Sequence, residues 1–112
     1  MEFSNPMARA QVVDLGNEVM ITMAALMIGY DLNKPGQNYT KLIEEIKSLG
    51  SWCHPLDSTW VVKTTKTVSQ VRDTLKSYVD GNDELLVMDV SGTSWASYNL
   101  DQRVAEWLKA NL

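Results

Sequence analysis

The chain has 112 residues, of which 45% are hydrophobic and 21% charged, and its formal net charge at pH 7 is -4. This length suits one domain with a single core, and the composition indicates neither a disordered chain nor a membrane protein. The acidic balance disfavours sequence-independent binding along a nucleic-acid backbone, although a local basic patch on a dimer or a bound metal is compatible with it. A single cysteine excludes an internal disulfide and a cysteine-cluster zinc site.

Residues 1–22 show weak periodicity, and we interpret them as an N-terminal appendage to a domain formed by residues 23–112. The appendage is partly foreign to the natural protein or results from a mis-set start, for which Met23 is the alternative. In the other interpretation, residues 1–22 contribute a short strand or helix to the domain. Acidic residues interrupt the pattern of a signal peptide, and the longest apolar run is far too short to cross a bilayer. The sequence therefore predicts a cytoplasmic protein without a membrane span.

From Met23 onward, strand and helix signals alternate. The run "MAALMIGY" predicts a buried strand, and "LNKPGQN" predicts a turn-rich loop after it. "YTKLIEEIKSLG" has apolar residues at helical spacing and ends on a glycine. "SWCHPLDSTWVVKT" predicts two strands that join near Pro55 to Ser58, and Thr67 is a suitable N-cap for a second helix. "ELLVMDV" predicts another buried strand, and "NLDQRVAEWLKANL" predicts a final helix.

This order predicts the α+β class and a ferredoxin-like βαββαβ sandwich. Such a sandwich has a four-stranded antiparallel sheet with both helices on one face. The opposite face must then be polar, covered by the C-terminal helix, or buried in a partner. Four tryptophans in so short a chain, together with the run "ELLVM", favour cover or burial. We therefore expect a homodimer.

Three phrases, "IGYDLNKPGQ", "LDSTW" and "NDELLVMDV", resemble the ferredoxin-like CRISPR-associated protein 2 superfamily, over residues 23–90. Virulence-associated protein D belongs to the same superfamily, and the resemblance is closest to its uncharacterised SinR-like group. It implies a homodimer in which Asp31, at the end of the first strand of each protomer, binds Mg²⁺ or Mn²⁺. Tyr30 precedes this aspartate as in the family pattern, and Ser58 matches a serine that many members carry. The resemblance makes all three candidate catalytic residues.

The resemblance implies a nuclease that cleaves RNA or DNA, or a dimer that binds nucleic acid. Several members of the superfamily show no nuclease activity, and this chain departs from the pattern in two ways. It has few cations to line a groove, and its C-terminal segment does not supply the extra exchanged strand of many relatives. The candidate groove cations are Lys34, Lys41, Lys47, Lys63 and Lys66. The alternative is therefore a non-catalytic dimerisation or adaptor module that binds a protein partner.

Asp31 itself has two interpretations. Two aspartates that face each other across a two-fold axis can share a metal ion with substrate phosphate oxygens. In the other interpretation, the Asp31 carboxylate accepts hydrogen bonds from the loop amides of Asn33 or Lys34 and closes the strand. His54, the only histidine, is either a general acid–base or, more commonly for a lone histidine, a partly exposed strand residue. Core or interface packing is favoured over base stacking for the tryptophans.

Overall fold

The computed structural model describes residues 3–4, 23–33 and 39–112. Four strands form one antiparallel sheet in the order β2-β3-β1-β4, so that β1 is a central strand. The elements in chain order are β1 (Ala24–Asp31), α1 (Thr40–Ser48), β2 (Ser51–Leu56), β3 (Thr59–Thr64), α2 (Val68–Lys76), β4 (Glu84–Asp89) and α3 (Gln102–Asn111). The fold is α+β and consistent with a ferredoxin-like sandwich, which confirms the fold class that the sequence predicts.

Side-chain caps fix where two of the helices begin. Thr67 accepts a hydrogen bond from the Gln70 amide, and the Gln70 side chain accepts one from the Thr67 amide, which is a capping box for α2. The Asp101 carboxylate accepts a hydrogen bond from the Arg103 amide at the start of α3. Both starts follow polar residues that are readable in the sequence.

Helices α1 and α2 cover one face of the sheet, which we call the closed face. Its central side chains come from alternate positions of β1 and β3, as the period of two in a strand requires. They interdigitate with the apolar stripes of the two helices, and burial of each such side chain contributes ~1.5–3 kcal/mol. The side chains at most 1% exposed in this core include Leu26, Ile28, Leu42, Ile46, Trp60, Val62, Val71 and Leu75.

Helix α3 covers part of the opposite face. Trp107 is fully buried there, and its indole nitrogen donates to the Ser51 hydroxyl at 3.2 Å. The side chains that meet in this second core are Ala25, Cys53, Val61, Val104, Trp107 and Leu108. Phe3 packs against it and forms an antiparallel bridge with Cys53. Apart from residues 3–4, the proposed 1–22 appendage lies outside the described residues, and so does any strand or helix within it.

No described helix covers the remaining part of this second face, which we call the open face. The loop that contains Trp95 and Tyr98 lies at its border and lines a cavity together with Met27. The open face consists of three cross-strand pairs of β1 and β4: Met27 with Met88, Gly29 with Leu86, and Asp31 with Glu84. Leu86 is 56% exposed and Met88 46% exposed. The sheet thus carries an apolar surface that ends on two carboxylates.

Candidate functional site

The candidate site lies where β1 ends, between the first residues of β3 and β4. Successive strand residues point to opposite faces, so Tyr30 and Asp31 do not share a surface. Tyr30 packs against the closed-face core. Asp31 is exposed and belongs to the open face, directly opposite Glu84. The structure therefore places the two neighbours in different environments.

Within the described part of the chain, no hydrogen-bond donor contacts the Asp31 carboxylate. Its cross-strand neighbour is a second acid, and like charges directly opposite each other in a sheet are destabilising. A cation between Asp31 and Glu84 would offset that repulsion. The two residues together present oxygen ligands, which Mg²⁺ and Mn²⁺ prefer. The donor set at the end of β1 therefore fits a hard divalent cation.

A different aspartate organises the loop after β1. The Asp83 carboxylate accepts hydrogen bonds from the Asn33 amide at 2.8 Å, the Asp80 amide at 2.7 Å and the Tyr39 hydroxyl at 3.0 Å. The Asn33 amide is therefore bonded to Asp83, rather than to Asp31 as the turn interpretation supposes. Lys34, the other donor in that interpretation, lies outside the described residues. Asp83 comes next to β4 in the chain, so it ties this loop to the neighbouring strand.

Tyr30 anchors the end of β1 through its hydroxyl group. The hydroxyl accepts a hydrogen bond from the Trp60 indole at 3.0 Å and donates one to the Asp57 carbonyl at 3.4 Å. Trp60 is 1% exposed, so its indole N–H requires this partner. Tyr30 therefore positions the strand end from the closed face.

Ser58 lies in the turn between β2 and β3, beside the end of β1. Its carbonyl accepts a hydrogen bond from the Tyr30 amide at 3.1 Å, and its side chain is exposed. The same carbonyl lies 3.9 Å from the point where a Cβ on Gly29 would be. Ser58 thus flanks the strand that carries Asp31, and its backbone holds that strand in register.

A complete metal site is not assembled within the described residues of a single chain. No three side chains of the His, Cys, Asp and Glu types are grouped there as metal ligands would be. Asp31 and Glu84 supply two carboxylates at most. If only the described residues take part, a site with more protein ligands at this position needs a second chain.

The lysines predicted to line a groove are not gathered on the open face. The Lys63 ammonium donates to the Asn111 carbonyl at the end of α3, at 3.0 Å. The Lys47 ammonium lies 4.8 Å from the Trp52 ring centroid, over the closed-face side of the sheet. Lys41 and Lys66 belong to α1 and to the connection before α2, and Lys34 is not described. The open face therefore carries acids and apolar groups.

Sequence reasoning missed two features of this surface. From the sequence, Glu84 is predicted only as the start of a strand, although the pattern of "ELLVMD" places it with Leu86 and Met88 on one face. Beside the open face lies an apolar cavity of about 420 Å³. Its lining includes Met27, Leu56, Trp95, Tyr98 and Leu108. No sequence signal marks this cavity, because residues 92–100 form it without helix or strand periodicity.

His54 and its neighbours form an aromatic cluster on the closed-face side. The His54 ring stacks on Trp60 with centroids 3.9 Å apart and an angle of 8° between the planes. Its Nε2 is 3.1 Å from the Asp57 carbonyl. The Trp52 ring is also close to Trp60, with centroids 5.3 Å apart and an angle of 57° between the planes. These contacts agree with packing roles for His54, Trp52 and Trp60.

Neither a protein-family model nor a solved structure matches this chain. Within the described residues, no helix has the length and apolar character that crossing a bilayer requires.

Proposed function

We propose that the protein is a cytoplasmic, homodimeric nuclease that depends on Mg²⁺ or Mn²⁺. In this proposal the open faces of two chains pack together, and the two Asp31 carboxylates share one ion. One observation carries it: Asp31 is exposed at the border of an apolar face, beside Glu84 and without a hydrogen-bond donor among the described residues. The resemblance of residues 23–90 to the CRISPR-associated protein 2 superfamily supports the same assignment.

The chemistry of the open face supports the dimer. Leu86 and Met88, with the half-buried Met27 beside them, form an apolar patch that a monomer would leave largely in water. A two-fold interface places the same patch of both chains in contact, so one apolar surface covers the other. Gly29 lies in the middle of the patch, and its lack of a side chain lets a second sheet approach closely. Asp31 and its two-fold mate then lie at the border of one interface.

The acids supply what phosphodiester cleavage needs from the protein. A bound divalent ion would polarise the phosphoryl oxygens of a nucleic acid and lower the pKa of a bound water. Asp31 from each chain, with Glu84 beside it, provides the oxygen ligands. Tyr30 keeps the strand end in place through Trp60 and Asp57. The exposed side chain of Ser58 lies beside the same strand end, where a substrate phosphate would be bound.

A cleavage assay with a matched pair of variants tests the proposal. Asp31→Asn keeps the shape of the side chain but removes one charge per chain, so we expect Mn²⁺-dependent cleavage of RNA or DNA to fall at least a hundredfold. Asp57→Asn changes another exposed aspartate, in the nearby turn, and should leave cleavage within about twofold. Equal activity of wild type and Asp31→Asn would refute the proposed site.

The second candidate function is a non-catalytic dimerisation or adaptor module. Its support is the placement of the described cations. Lys47 and Lys63 are engaged away from Asp31, and the described residues form no basic groove on the open face. In that case the wild-type protein binds no Mn²⁺ at millimolar concentration and cleaves neither single- nor double-stranded substrates. It remains a dimer by light scattering.

A further inference from the structure

The two edges of the sheet differ in how they are protected. At the outer edge of β2, the Ser4 amide donates to the Trp52 carbonyl at 2.7 Å, and the Trp52 amide donates to the Ser4 hydroxyl at 2.7 Å. Strand β2 also contains Pro55 and a shift in register, both of which discourage pairing with another chain. In the described part of the chain, the outer edge of β4 has no strand beside it and no such device. The β4 edge is therefore the one open to strand addition.

The backbone of β4 offers a defined set of hydrogen-bonding groups at that edge. The Val90 amide donates to the Ala25 carbonyl of β1 at 2.8 Å. Alternation along an antiparallel strand then directs the amides and carbonyls of the even-numbered residues toward β1. The same groups of Leu85, Val87 and Asp89 point outward. An added strand must bond to these three residues.

A shallow groove of about 220 Å³ runs beside this edge, between β4 and α2. Val68, Ser69 and Arg72 of α2 form one wall, and the wall on β4 includes Leu85 and Val87. The groove has both polar and apolar lining groups. The Arg72 guanidinium on its rim is 58% exposed at the side chain and pairs with the Asp73 carboxylate at 2.9 Å. A strand placed here would meet apolar groups, the Ser69 side chain and this ion pair on the closed-face side.

We propose that the β4 edge binds β4 of a second copy of this chain, antiparallel and centred on Val87. Val87 then pairs with Val87 of the second copy, and Leu85 pairs with its Asp89. In each pair, the backbone amides and carbonyls of both residues point away from β1 toward the second copy, as antiparallel hydrogen bonding requires. The register that would set Glu84 opposite Asp89 joins an inward-facing residue to an outward-facing one, so the backbone excludes it.

Charge complementarity favours a second copy over an unrelated strand. In this register, Asp89 of the second copy lies beside Leu85 on the closed-face side, where Arg72 and Lys76 border the edge together with Asp80 and Asp83. Arg72 is already paired with Asp73 at 2.9 Å, so Asp89 would be a second carboxylate at its exposed guanidinium. Glu84 lies opposite Val90 of the second copy, so no two acids face each other. The two-fold axis produces both Arg72–Asp89 approaches at once. The strand is thus complementary to itself.

This edge contact is separate from the face contact of the proposed function. The edge axis is perpendicular to the sheet, whereas the axis that joins two open faces lies parallel to it. Perpendicular two-fold axes generate a closed assembly of four chains where they intersect, and an open assembly where they do not. The edge contact involves one strand and one groove, so it is the weaker of the two. We expect it to form only at concentrations where face dimers are already present.

A mixed-chain disulfide test determines the register. Leu85→Cys and Asp89→Cys chains, mixed and oxidised, should cross-link, because hydrogen-bonded pairs have Cα atoms ~5.5 Å apart, within disulfide range. Neither variant alone should cross-link, since the two Leu85 positions would lie about 14 Å apart along the strand. Wild type is a further control, because Cys53 is buried. No cross-link in the mixture, or equal cross-linking of a single variant, would overturn the proposal.

Exchanging the charges of Arg72 and Asp89 tests the edge contact independently. Sedimentation at high protein concentration measures the association of the variants. Arg72→Asp and Asp89→Arg should each weaken the edge contact about fivefold, and the double exchange should restore it, as for an exposed ion pair. Gly29→Lys should abolish the face contact but leave the cross-link intact. Because the nuclease proposal depends on the face, loss of cleavage in Asp31→Asn with an intact cross-link separates the two proposals. Failure of the double exchange to restore association contradicts the edge register.

Discussion

The two faces of the sheet differ in how far helices cover them. On the closed face, two helices bury a continuous core whose central side chains are at most 1% exposed. On the other face, α3 covers only the part that contains Ala25, Cys53 and Val61. The rest stays open as the apolar pairs of β1 and β4, with Asp31 and Glu84 at one end. Helices therefore cover the centre of one face of the sheet and only part of the other face.

This difference separates the residues that maintain the fold from those available for function. The central side chains of the closed face are buried under two helices, so their substitutions should lower the free energy of unfolding. The open face exposes Leu86 and Met88, so its substitutions should change assembly and metal binding instead. Tyr30 and Asp31, adjacent in the chain, fall on opposite sides of this division.

The largest expected effect comes from two tryptophans in contrasting places. Trp60 is 1% exposed in the closed-face core, and Trp95 is 39% exposed beside the open face. Trp60→Ala should lower the free energy of unfolding by ~3–5 kcal/mol through lost burial and a cavity. Trp95→Ala should lower it by less than about 1 kcal/mol, as for most surface positions. Urea unfolding at low protein concentration measures both, and equal losses would remove the distinction between the faces.

The next effect tests whether α3 is the cover of Cys53. Leu108→Ala in α3 should cost ~2–4 kcal/mol and speed labelling of the Cys53 thiol by a disulfide reagent. Leu75→Ala removes the same atoms from α2 on the closed face, so it should cost as much but speed labelling only through global unfolding. Labelling rates below the unfolding transition distinguish the two variants. The same rate in both would mean that α3 does not shield Cys53 independently.

A smaller effect tests the positioning role of Tyr30. Tyr30→Phe leaves the buried Trp60 indole N–H without its acceptor, which should cost ~1–2 kcal/mol. Tyr98→Phe is the matched control, because Tyr98 is 89% exposed and should tolerate the change. Thermal unfolding of both variants provides the comparison. A stable Tyr30→Phe protein that loses cleavage would assign Tyr30 a direct role in the chemistry.

The smallest effect is a pH dependence at the end of β4. The Ser91 amide and hydroxyl hydrogen-bond the Asp89 carboxylate and hold its pKa below the usual range. A lowered folded-state pKa contributes stability above the unfolded value of ~3.9, and this contribution disappears as pH falls through the folded value. Asp89→Asn should flatten the stability profile only below about pH 4. An unchanged slope in that range would show that Ser91 does not favour the ionised form.

Much of the fold is readable from local chemistry. Alternation in the strands, the Thr67 capping box and the turn after Leu56 predict element types and order, because each depends on neighbours in the chain. The end of β1 at Asp31 follows from the abrupt change to turn residues. The predicted C-terminal helix is also confirmed, and its position on the second face was one of three alternatives for that face.

The site was less predictable because it depends on contacts between distant segments. The Asn33 amide in the loop after β1 donates its hydrogen bond to Asp83 rather than to Asp31. The sequence does not predict this partner, because residues 33 and 83 are far apart in the chain. The pairing of Asp31 with Glu84 comes from the strand order, which a single hydrophobic pattern does not contain. The extent of the open face depends on how much of the sheet α3 covers. Long-range placement, rather than local propensity, determines all three.

The stoichiometry of Mn²⁺ binding tests the central claim most directly. If two open faces share one ion between their Asp31 carboxylates, calorimetric titration of the wild-type protein should give one Mn²⁺ per two chains. Asp31→Asn should abolish that binding while light scattering still reports about twice the 12.6 kDa chain mass. One ion per chain, or binding that survives Asp31→Asn, would contradict a metal shared across the open face.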